Sequence, residues 1–242
     1  MIYSRFIGPK HLTGGWVSEK GIICKVKGSK LSLSKDDYDL FYHHNENNLV
    51  ANLTLNYRGL AIINLNSSQE DHPANHPDLR EILAHLGSRQ IMGIAAGLGE
   101  FIPFVSKKTA VKPLVIESLA YDVITELLDY AAPLFLKHHR EDAAKLSENC
   151  RVMMDQDKVQ IIGSLQDVLG SPKLSEQLFG TVDVLIDNLN FPNTIVAQTD
   201  GIREETLRDL ELRLLKENGI RYGLPTEKPL VKMKGRFVVL ER

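Results

Sequence analysis

The chain has 242 residues, of which 43% are hydrophobic and 25% are charged, and its formal net charge is −2. This composition is typical of a globular chain with room for one large domain or a domain with an appendage, and it excludes a collagen, a disordered tail and a disulfide-rich miniprotein. Cys24 and Cys150 form no Cys-x-x-Cys pair, which argues against a zinc knuckle and favours a reducing, cytoplasmic location. We expect neither a secretion signal nor a membrane span, because the apolar runs are too short.

The near-zero net charge is a cancellation between regions of opposite sign. Residues 1–35 contain seven Lys or Arg and one acid, residues 203–242 contain ten and seven, and the middle contains 12 and 23. A basic leading segment on an acidic body is suited to bind nucleic acid or another anionic partner. The simpler interpretation is that the lysines among residues 20–30 form the solvent face of a hairpin.

Short apolar runs separated by Gly and Asn predict a β-meander in the first part of the chain. The predicted strands are Gly15–Val17, Gly21–Val26, Leu31–Leu33, Leu49–Leu55 and Leu60–Ile63. A polar stretch, Asn66 to Pro77, predicts a connection, and Leu79–Leu86 predicts a short helix. We interpret the two histidines of this connection as linker residues, and we predict no metal site.

After Ser88 the pattern changes to apolar runs that alternate with helical patterns, which is typical of βαβ units. The predicted strands are Ile91–Ala95, Leu114–Ile116, Val159–Ile162 and Val182–Ile186. One helical region covers Leu119 to Cys150, with a break or kink at Pro133, and another covers Arg203 to Glu217 and ends at Gly219. An antiparallel hairpin closes the chain. The predicted fold class is therefore α/β, a doubly wound Rossmann-like sheet preceded by a small β domain.

The most informative segment is the glycine loop that follows the strand at Ile91. Ala95-Ala96-Gly97-Leu98-Gly99-Glu100 would let a ligand approach the backbone closely, beside exposed N–H groups. The next predicted strand ends at Glu117, where a carboxylate can accept hydrogen bonds from both hydroxyls of an adenosine ribose.

Two further strand ends contain polar or small residues. Ser164 and Leu165 follow one strand, and Asp187 and Asn188 stand at the end of the next. Ligands of open α/β sheets bind outside the carboxyl ends of the strands, so these residues are predicted to line one crevice.

This pattern resembles the class I S-adenosylmethionine-dependent methyltransferases, whose first strand usually ends in an acid followed by Gly-x-Gly-x-Gly. The chain keeps Gly97 and Gly99, has Ala95 where the first glycine would stand, and has Gly93 in place of the usual acid. The departure at Gly93 removes the usual contact to the methionine amino group, for which Glu100 or a backbone carbonyl is an alternative.

The resemblance implies S-adenosyl-L-methionine as cofactor and assigns roles to individual residues. Glu117 would hold the ribose, Ser164 and Leu165 the adenine, and Asp187 and Asn190 the catalytic positions. The implied cofactor contacts are Ala95, Ala96, Gly97, Gly99, Glu100, Glu117, Ser118, Ser164, Leu165, Asp187 and Asn188. Asp187 is the candidate general base, with His43, His44, His72 and His76 as further candidates, and its alternative role is to cap a turn.

Two other functions stay open at this point. The glycine spacing also fits short-chain dehydrogenases that bind NAD(P), but none of the seven tyrosines has a Lys four residues later, so their acid–base pair is missing. A non-catalytic module that binds an anionic partner is the other alternative.

The resulting hypothesis divides the chain into two domains. Residues 1–68 form a β-meander domain for substrate recognition or oligomerisation, and residues 78–242 form the S-adenosylmethionine-binding domain. We expect a small-molecule acceptor and no membrane partner. Nucleic acid binding through residues 1–35 and a homodimer are the alternatives.

Overall fold

The computed structural model describes residues 13–45, 50–65, 87–98, 102–187, 201–223, 233–234 and 237–241. The chain divides into two compact units. The first comprises Met1–Glu70 and Ala120–Arg151, and the second comprises Asp71–Leu119 and Val152–Arg242. The predicted domain boundary stays a prediction, and the predicted connection and helix between Asn66 and Leu86 lie outside the described residues.

The first unit contains a six-stranded antiparallel sheet whose strands are neighbours in chain order, which confirms the predicted N-terminal β region. The strands are β1 (Thr13–Val17), β2 (Ile23–Lys27), β3 (Lys30–Lys35), β4 (Tyr38–Asn45), β5 (Val50–Tyr57) and β6 (Leu60–Leu65). Strand β4 was not among the predicted strands. It is central to the sheet, since it pairs with both β3 and β5.

Alternate residues of this sheet point to opposite faces, as the strand period of two requires. One face is buried and apolar, with Cys24, Val26, Leu31, Leu33, Leu40, Tyr42, Leu53 and Leu55. Two helices follow later in the chain, α2 (Tyr121–Lys137) and α3 (Glu141–Met154). The helix that precedes them, α1 (Ile102–Ser106), belongs to the second unit. The ring of Phe135 in α2 meets that of Tyr42 edge-on at 5.0 Å, which places α2 on the apolar face.

Helix α2 is anchored to the sheet by polar contacts at both ends. At its start, the backbone N–H of Ala120 donates to the Tyr38 hydroxyl at 2.8 Å. At its end, the Tyr42 hydroxyl is 2.8 Å from His138 Nδ1. The helix continues through Pro133 and ends at Lys137, so the predicted interruption comes four residues later than the proline.

The second unit contains a seven-stranded sheet in the order β12-β13-β11-β10-β7-β8-β9. Its strands are β7 (Ile91–Ile94), β8 (Leu114–Ile116), β9 (Gln160–Gly163), β10 (Val182–Asp187), β11 (Leu215–Gly223), β12 (Met233–Lys234) and β13 (Phe237–Glu241). Strands β7 to β11 are parallel, and β13 joins antiparallel to β11 as part of the predicted closing hairpin. This order is that of a doubly wound sheet, with its topological switch point between β7 and β10. The predicted Rossmann-like α/β fold is confirmed.

Strand β11 corrects the predicted end of the last helix. That helix, α6 (Glu204–Leu214), stops at Leu214, and the chain enters the strand at Leu215. Gly219 lies within the strand, where a Cβ would come 3.0 Å from the Val182 carbonyl oxygen. Gly219 therefore permits a close approach of β11 to β10 at an irregularity in their register, and it does not stop a helix.

The remaining helices of the second unit are α1 (Ile102–Ser106), α4 (Leu165–Gly170) and α5 (Pro172–Leu178). Helices α4 to α6 pack against the parallel strands around one apolar core, whose buried residues include Met92, Ile116, Val168, Leu185, Leu207 and Leu214. Among the residues that the structure describes, there is no helix with the length and apolar character needed to cross a membrane.

Candidate functional site

The glycine loop leaves β7 through two residues in the left-handed region of backbone conformation. Ala95 has a φ of 50° and Gly97 a φ of 59°. A non-glycine residue in this region is strained by about 1–2 kcal/mol, so the loop holds Ala95 against its preference. The backbone N–H of Ala95 donates to the carbonyl of Ile116 at 3.0 Å, which joins the loop to the end of β8.

Glu117 follows β8 directly, and its carboxylate is bound by three backbone N–H groups. Gly97 donates to Oε2 at 3.1 Å, whereas Ser118 and Leu119 donate to Oε1 at 2.7 and 3.3 Å. A carboxylate has about four lone-pair positions. Counting the described residues only, these bonds fill Oε1 and leave one position on Oε2. Glu117 thus unites the two predicted ligand-binding segments and keeps an acceptor for a further donor.

Removal from water raises the pKa of Glu117 to about 7, because it disfavours the charged form. The three backbone N–H groups act in the opposite direction, since they stabilise the carboxylate. Perturbed carboxylates of this kind are common at functional sites. Near neutral pH, Glu117 therefore exchanges between a form that only accepts hydrogen bonds and one that also donates.

The space around Gly93 explains the missing acid of the family motif. Gly93 is buried in β7, and a Cβ at this position would lie 2.9 Å from the Cδ1 of Ile102, the first residue of α1. Ile102 is itself buried. An acidic side chain at Gly93 would therefore require Ile102 to move.

Ser164 follows β9 and caps helix α4. Its hydroxyl accepts from the Asp167 N–H at 3.1 Å, and its own N–H donates to the Asp167 carboxylate at 2.7 Å. This capping box was missed, although Ser164-x-x-Asp167 is its sequence signature. Leu165, predicted to contact adenine, is buried with an exposure of 5% and belongs to the apolar core. The strand end is nevertheless attached to the site, because the Glu117 N–H donates to the Gly163 carbonyl at 2.8 Å.

Asp187 ends β10 and is fully buried in a group of four charged side chains. We call Asp187, Arg208, Glu211 and Arg221 the charge cluster. Arg208 donates to the Asp187 carboxylate at 2.6 Å, and Arg221 also contacts it. Both arginines donate to Glu211 Oε2 at 2.7 Å.

The charge cluster ties together β10, α6 and β11, since each contributes to it. Asp187 lies opposite Ile94 in the register of β10 and β7, so the cluster is at the carboxyl edge of the sheet near the switch point. Within the described residues, the second oxygen of Glu211, Oε1, is buried without a hydrogen-bond partner. Burial raises the pKa of Glu211, with a further contribution from Asp187.

Sequence reasoning found Asp187 but not its three partners. A signal was present in α6, where Arg208 and Glu211 are three residues apart and so share one helix face. No such signal pointed to Arg221, because none of the predicted strands contains it. The general-base role of Asp187 stays a prediction, and its enclosure by two guanidinium groups favours a positioning role.

The other predicted site residues are distributed as follows. Ser118 is exposed beside Glu117, and Ala96 is buried in the loop. Gly99, Glu100, Asn188 and Asn190, with His72 and His76, lie outside the described residues. His44 stacks on His138 in the first unit, with 3.8 Å between the ring centroids, and His43 is half-buried in the same sheet.

The carboxyl ends of β7, β8 and β9 thus form one continuous edge of backbone hydrogen bonds, with the Glu117 carboxylate above it. Such an edge beside a switch point is where open α/β sheets bind nucleotides and nucleosides. Among the described residues, the remaining lone-pair position on Oε2 is suited to accept a hydrogen bond from a sugar hydroxyl.

Several solved structures are similar to this chain over much of its length. Spermidine synthase from Thermotoga maritima has a TM-score of 0.46 and 16% identity, over 93% of this chain and 66% of that one. A spermidine synthase in complex with the transition-state analogue AdoDATO has a TM-score of 0.49 and 17% identity, over 93% and 68%. A putative S-adenosyl-L-methionine-dependent methyltransferase from Methanococcus maripaludis has a TM-score of 0.34 and 16% identity, over 60% and 52%.

The chain spans about two thirds of the length of the two spermidine synthases and about half that of the methanococcal protein. Further similar structures are S-adenosylmethionine-dependent methyltransferases, the class that the sequence resembles. No protein-family model and no curated protein matches the chain.

Proposed function

We propose that the second unit binds S-adenosyl-L-methionine at the carboxyl ends of β7, β8 and β9 and transfers its methyl group to an acceptor. The observation that carries this proposal is the bond between Glu117 Oε2 and the Gly97 N–H, which unites the acid and the glycine loop in one site. The ribose of the donor would use the lone-pair position that remains on Oε2.

The described residues fit the nucleoside half of the donor better than its amino-acid half. Glu117 supplies a polar contact for a ribose, whereas Ile102 fills the space beside Gly93 where the family's acid would stand. We propose that Glu100 contacts the amino group of the donor's methionine moiety.

When bound, the donor supplies an electrophilic methyl group on a sulfonium. Transfer breaks the sulfur–carbon bond, forms a bond from carbon to the acceptor atom, and leaves a neutral thioether. An acceptor N–H or O–H must then release a proton to a base or to water. We propose that Asp187 acts with its arginine partners to hold the end of β10 and that Asn188 and Asn190 face the acceptor.

Isothermal titration calorimetry tests donor binding without knowledge of the acceptor. We expect heat from S-adenosylhomocysteine, and a smaller free energy of binding from methylthioadenosine, which lacks the amino-acid end. The Glu117→Ala variant should lose both. Glu176→Ala is the matched control, because Glu176 is an exposed glutamate on α5.

Two results would refute the proposal. Heat from NAD or NADP with none from S-adenosylhomocysteine would favour the dehydrogenase-like alternative, and no heat from any of these ligands would favour a non-catalytic module. For the acceptor, transfer of tritium from methyl-labelled S-adenosylmethionine into a small-molecule extract, and separately into total RNA, distinguishes the two classes. We expect the small-molecule fraction to be labelled.

A further inference from the structure

One face of the first unit's sheet is solvent-exposed and forms a shallow groove of about 610 Å³. We call it the outer face, and its side chains are Lys25, Lys27, Lys30, Ser32, Phe41, His43, Asn52 and Thr54. They come from four neighbouring strands, β2 to β5, and alternate with the residues of the apolar face. The outer face is therefore a continuous surface with a defined set of side chains.

The outer face has a concentrated positive charge. Lys25, Lys27 and Lys30 are exposed, and no acidic side chain of the described residues forms an ion pair with any of them. The nearest acid in the register, Asp39, lies one row away and accepts a hydrogen bond from Ser34 at 2.5 Å. An anionic ligand would therefore meet three cations with little local competition.

Two of these lysines occupy opposite positions on neighbouring strands. Lys27 on β2 lies directly opposite Lys30 on β3, and Lys30 lies opposite His43 on β4. Like charges at directly opposed positions of an antiparallel sheet are destabilising. An anion on this row would remove the repulsion, so the arrangement is an independent indication of an anionic ligand.

Phe41 lies next to the lysines, with 42% of its surface exposed. In the register it is opposite Ser32 on one side and Thr54 on the other, and Ser32 is opposite Lys25. An exposed ring on a sheet, flanked by cations and by side chains that form hydrogen bonds, is the combination with which proteins bind single-stranded nucleic acid. The ring stacks on a base and the lysines bind phosphates.

A second copy of the chain is a less suitable occupant of this face. Pairing of two outer faces would bring the lysines of both copies together, and like charges across an interface oppose association. The positive charge of the lysines thus favours an anionic partner, and the Phe41 ring favours a partner with exposed aromatic bases.

We propose that the outer face binds single-stranded nucleic acid, with phosphates at Lys25, Lys27 and Lys30 and one base stacked on Phe41. The inference is independent of the proposed function, since it concerns other residues and its test needs no methyl donor.

Fluorescence anisotropy with a labelled 12-nucleotide oligouridylate and the full chain tests the proposal. The triple variant K25A/K27A/K30A should bind at least tenfold more weakly at low salt. The slope of log affinity against log salt should become shallower by about 2, since each phosphate contact on a single strand contributes about 0.7. The triple variant K107A/K145A/K173A is the control, because it removes three exposed lysines elsewhere.

Substitutions of Phe41 separate stacking from charge. Phe41→Leu keeps apolar bulk but removes the ring, and it should weaken binding about 5- to 100-fold with an unchanged salt slope. Phe41→Trp, which keeps an aromatic ring, should bind about as tightly as the wild-type chain. Thermal melts of all variants verify that the fold is retained.

Three results would overturn the proposal. They are a lack of binding by the full chain at 50 mM salt, an equal loss in the control triple variant, or a concentration-dependent dimer that Phe41→Leu dissolves. The last result would identify the outer face as an interface between copies of the chain.

Discussion

The Oε2 oxygen of Glu117 accepts a hydrogen bond from the backbone N–H of Gly97, 20 residues earlier in the chain. The strand order brings the two residues together, because β7 and β8 are adjacent and parallel. This contact fixes the carboxylate against the glycine loop and makes its protonation state relevant to any ligand there.

The affinity for S-adenosylhomocysteine should depend on pH through Glu117. Burial raises the pKa of Glu117 to about 7, and the ionised form is the better acceptor for ribose hydroxyls. Affinity should thus rise with pH up to about 7 and be constant above it, with a loss of up to about tenfold per unit below. Calorimetry at pH 5.5, 6.5, 7.5 and 8.5 measures this. A flat profile for the wild-type protein would contradict the assignment, and Glu117→Gln should be flat.

Stability should also depend on pH, with a definite sign. Burial raises the pKa values of Glu117 and Glu211, so the folded chain binds more protons than the unfolded chain in the range from about 4.5 to 7. The free energy of unfolding contributed by these groups therefore falls as pH rises through this range. Urea titrations at pH 5, 6, 7 and 8 should show a shallower fall for Glu211→Gln than for the wild type. An unchanged pH dependence would show that Glu211 does not take up a proton on folding.

Gly93 and Ile102 should be energetically coupled. Gly93→Ala should cost about 1–3 kcal/mol, because the new Cβ would overlap Ile102 Cδ1. Ile102→Val removes Cδ1 and alone should cost about 0.5–1.5 kcal/mol. The double variant should lose about 1 kcal/mol less than the sum, as measured by denaturant unfolding.

Gly170→Ala is the control for this pair of variants, since a Cβ at Gly170 would have no atom of another described element within 4 Å. It should be neutral or stabilising. Additive effects of the two substitutions at Gly93 and Ile102 would mean that other contacts limit the space in β7.

Within the charge cluster, Arg221 should contribute most to stability. Its side chain is nearly fully buried, and Arg221→Met would remove one of the two guanidinium groups that contact Asp187 and Glu211. We expect a loss of about 3–5 kcal/mol in the free energy of unfolding. Lys216→Met breaks the exposed pair with Asp183 and should cost less than about 1 kcal/mol. Equal losses in the two variants would contradict a special role for the cluster.

The sequence predicted the parallel sheet and the glycine loop because both depend on local patterns. Four strands of apolar residues and the alternation with helices were sufficient for the fold class. Strand β4 was missed since its outward residues include Asp39 and His43, although Tyr38, Leu40 and Tyr42 alternate with them and are buried. A search of the sequence for apolar residues at every second position would have found this strand.

The errors at the carboxyl edge have a different origin. Leu215 to Gly223 has a helix-like beginning and a glycine, so a strand there becomes evident only from its pairing with β10. Likewise, the partners of Asp187 lie on two other elements, and no local spacing predicts contacts across 21 and 34 residues. Contacts of this kind are set by the tertiary fold.

Helix α6 passes into β11 with no residue between Leu214 and Leu215. One inserted residue at this junction would rotate the helix by about 100° relative to the strand or invert which side chains of β11 face the core. Either change separates Arg221 from Glu211. The junction should thus be intolerant of changes in length, and natural or engineered insertions in this unit should be confined to other connections.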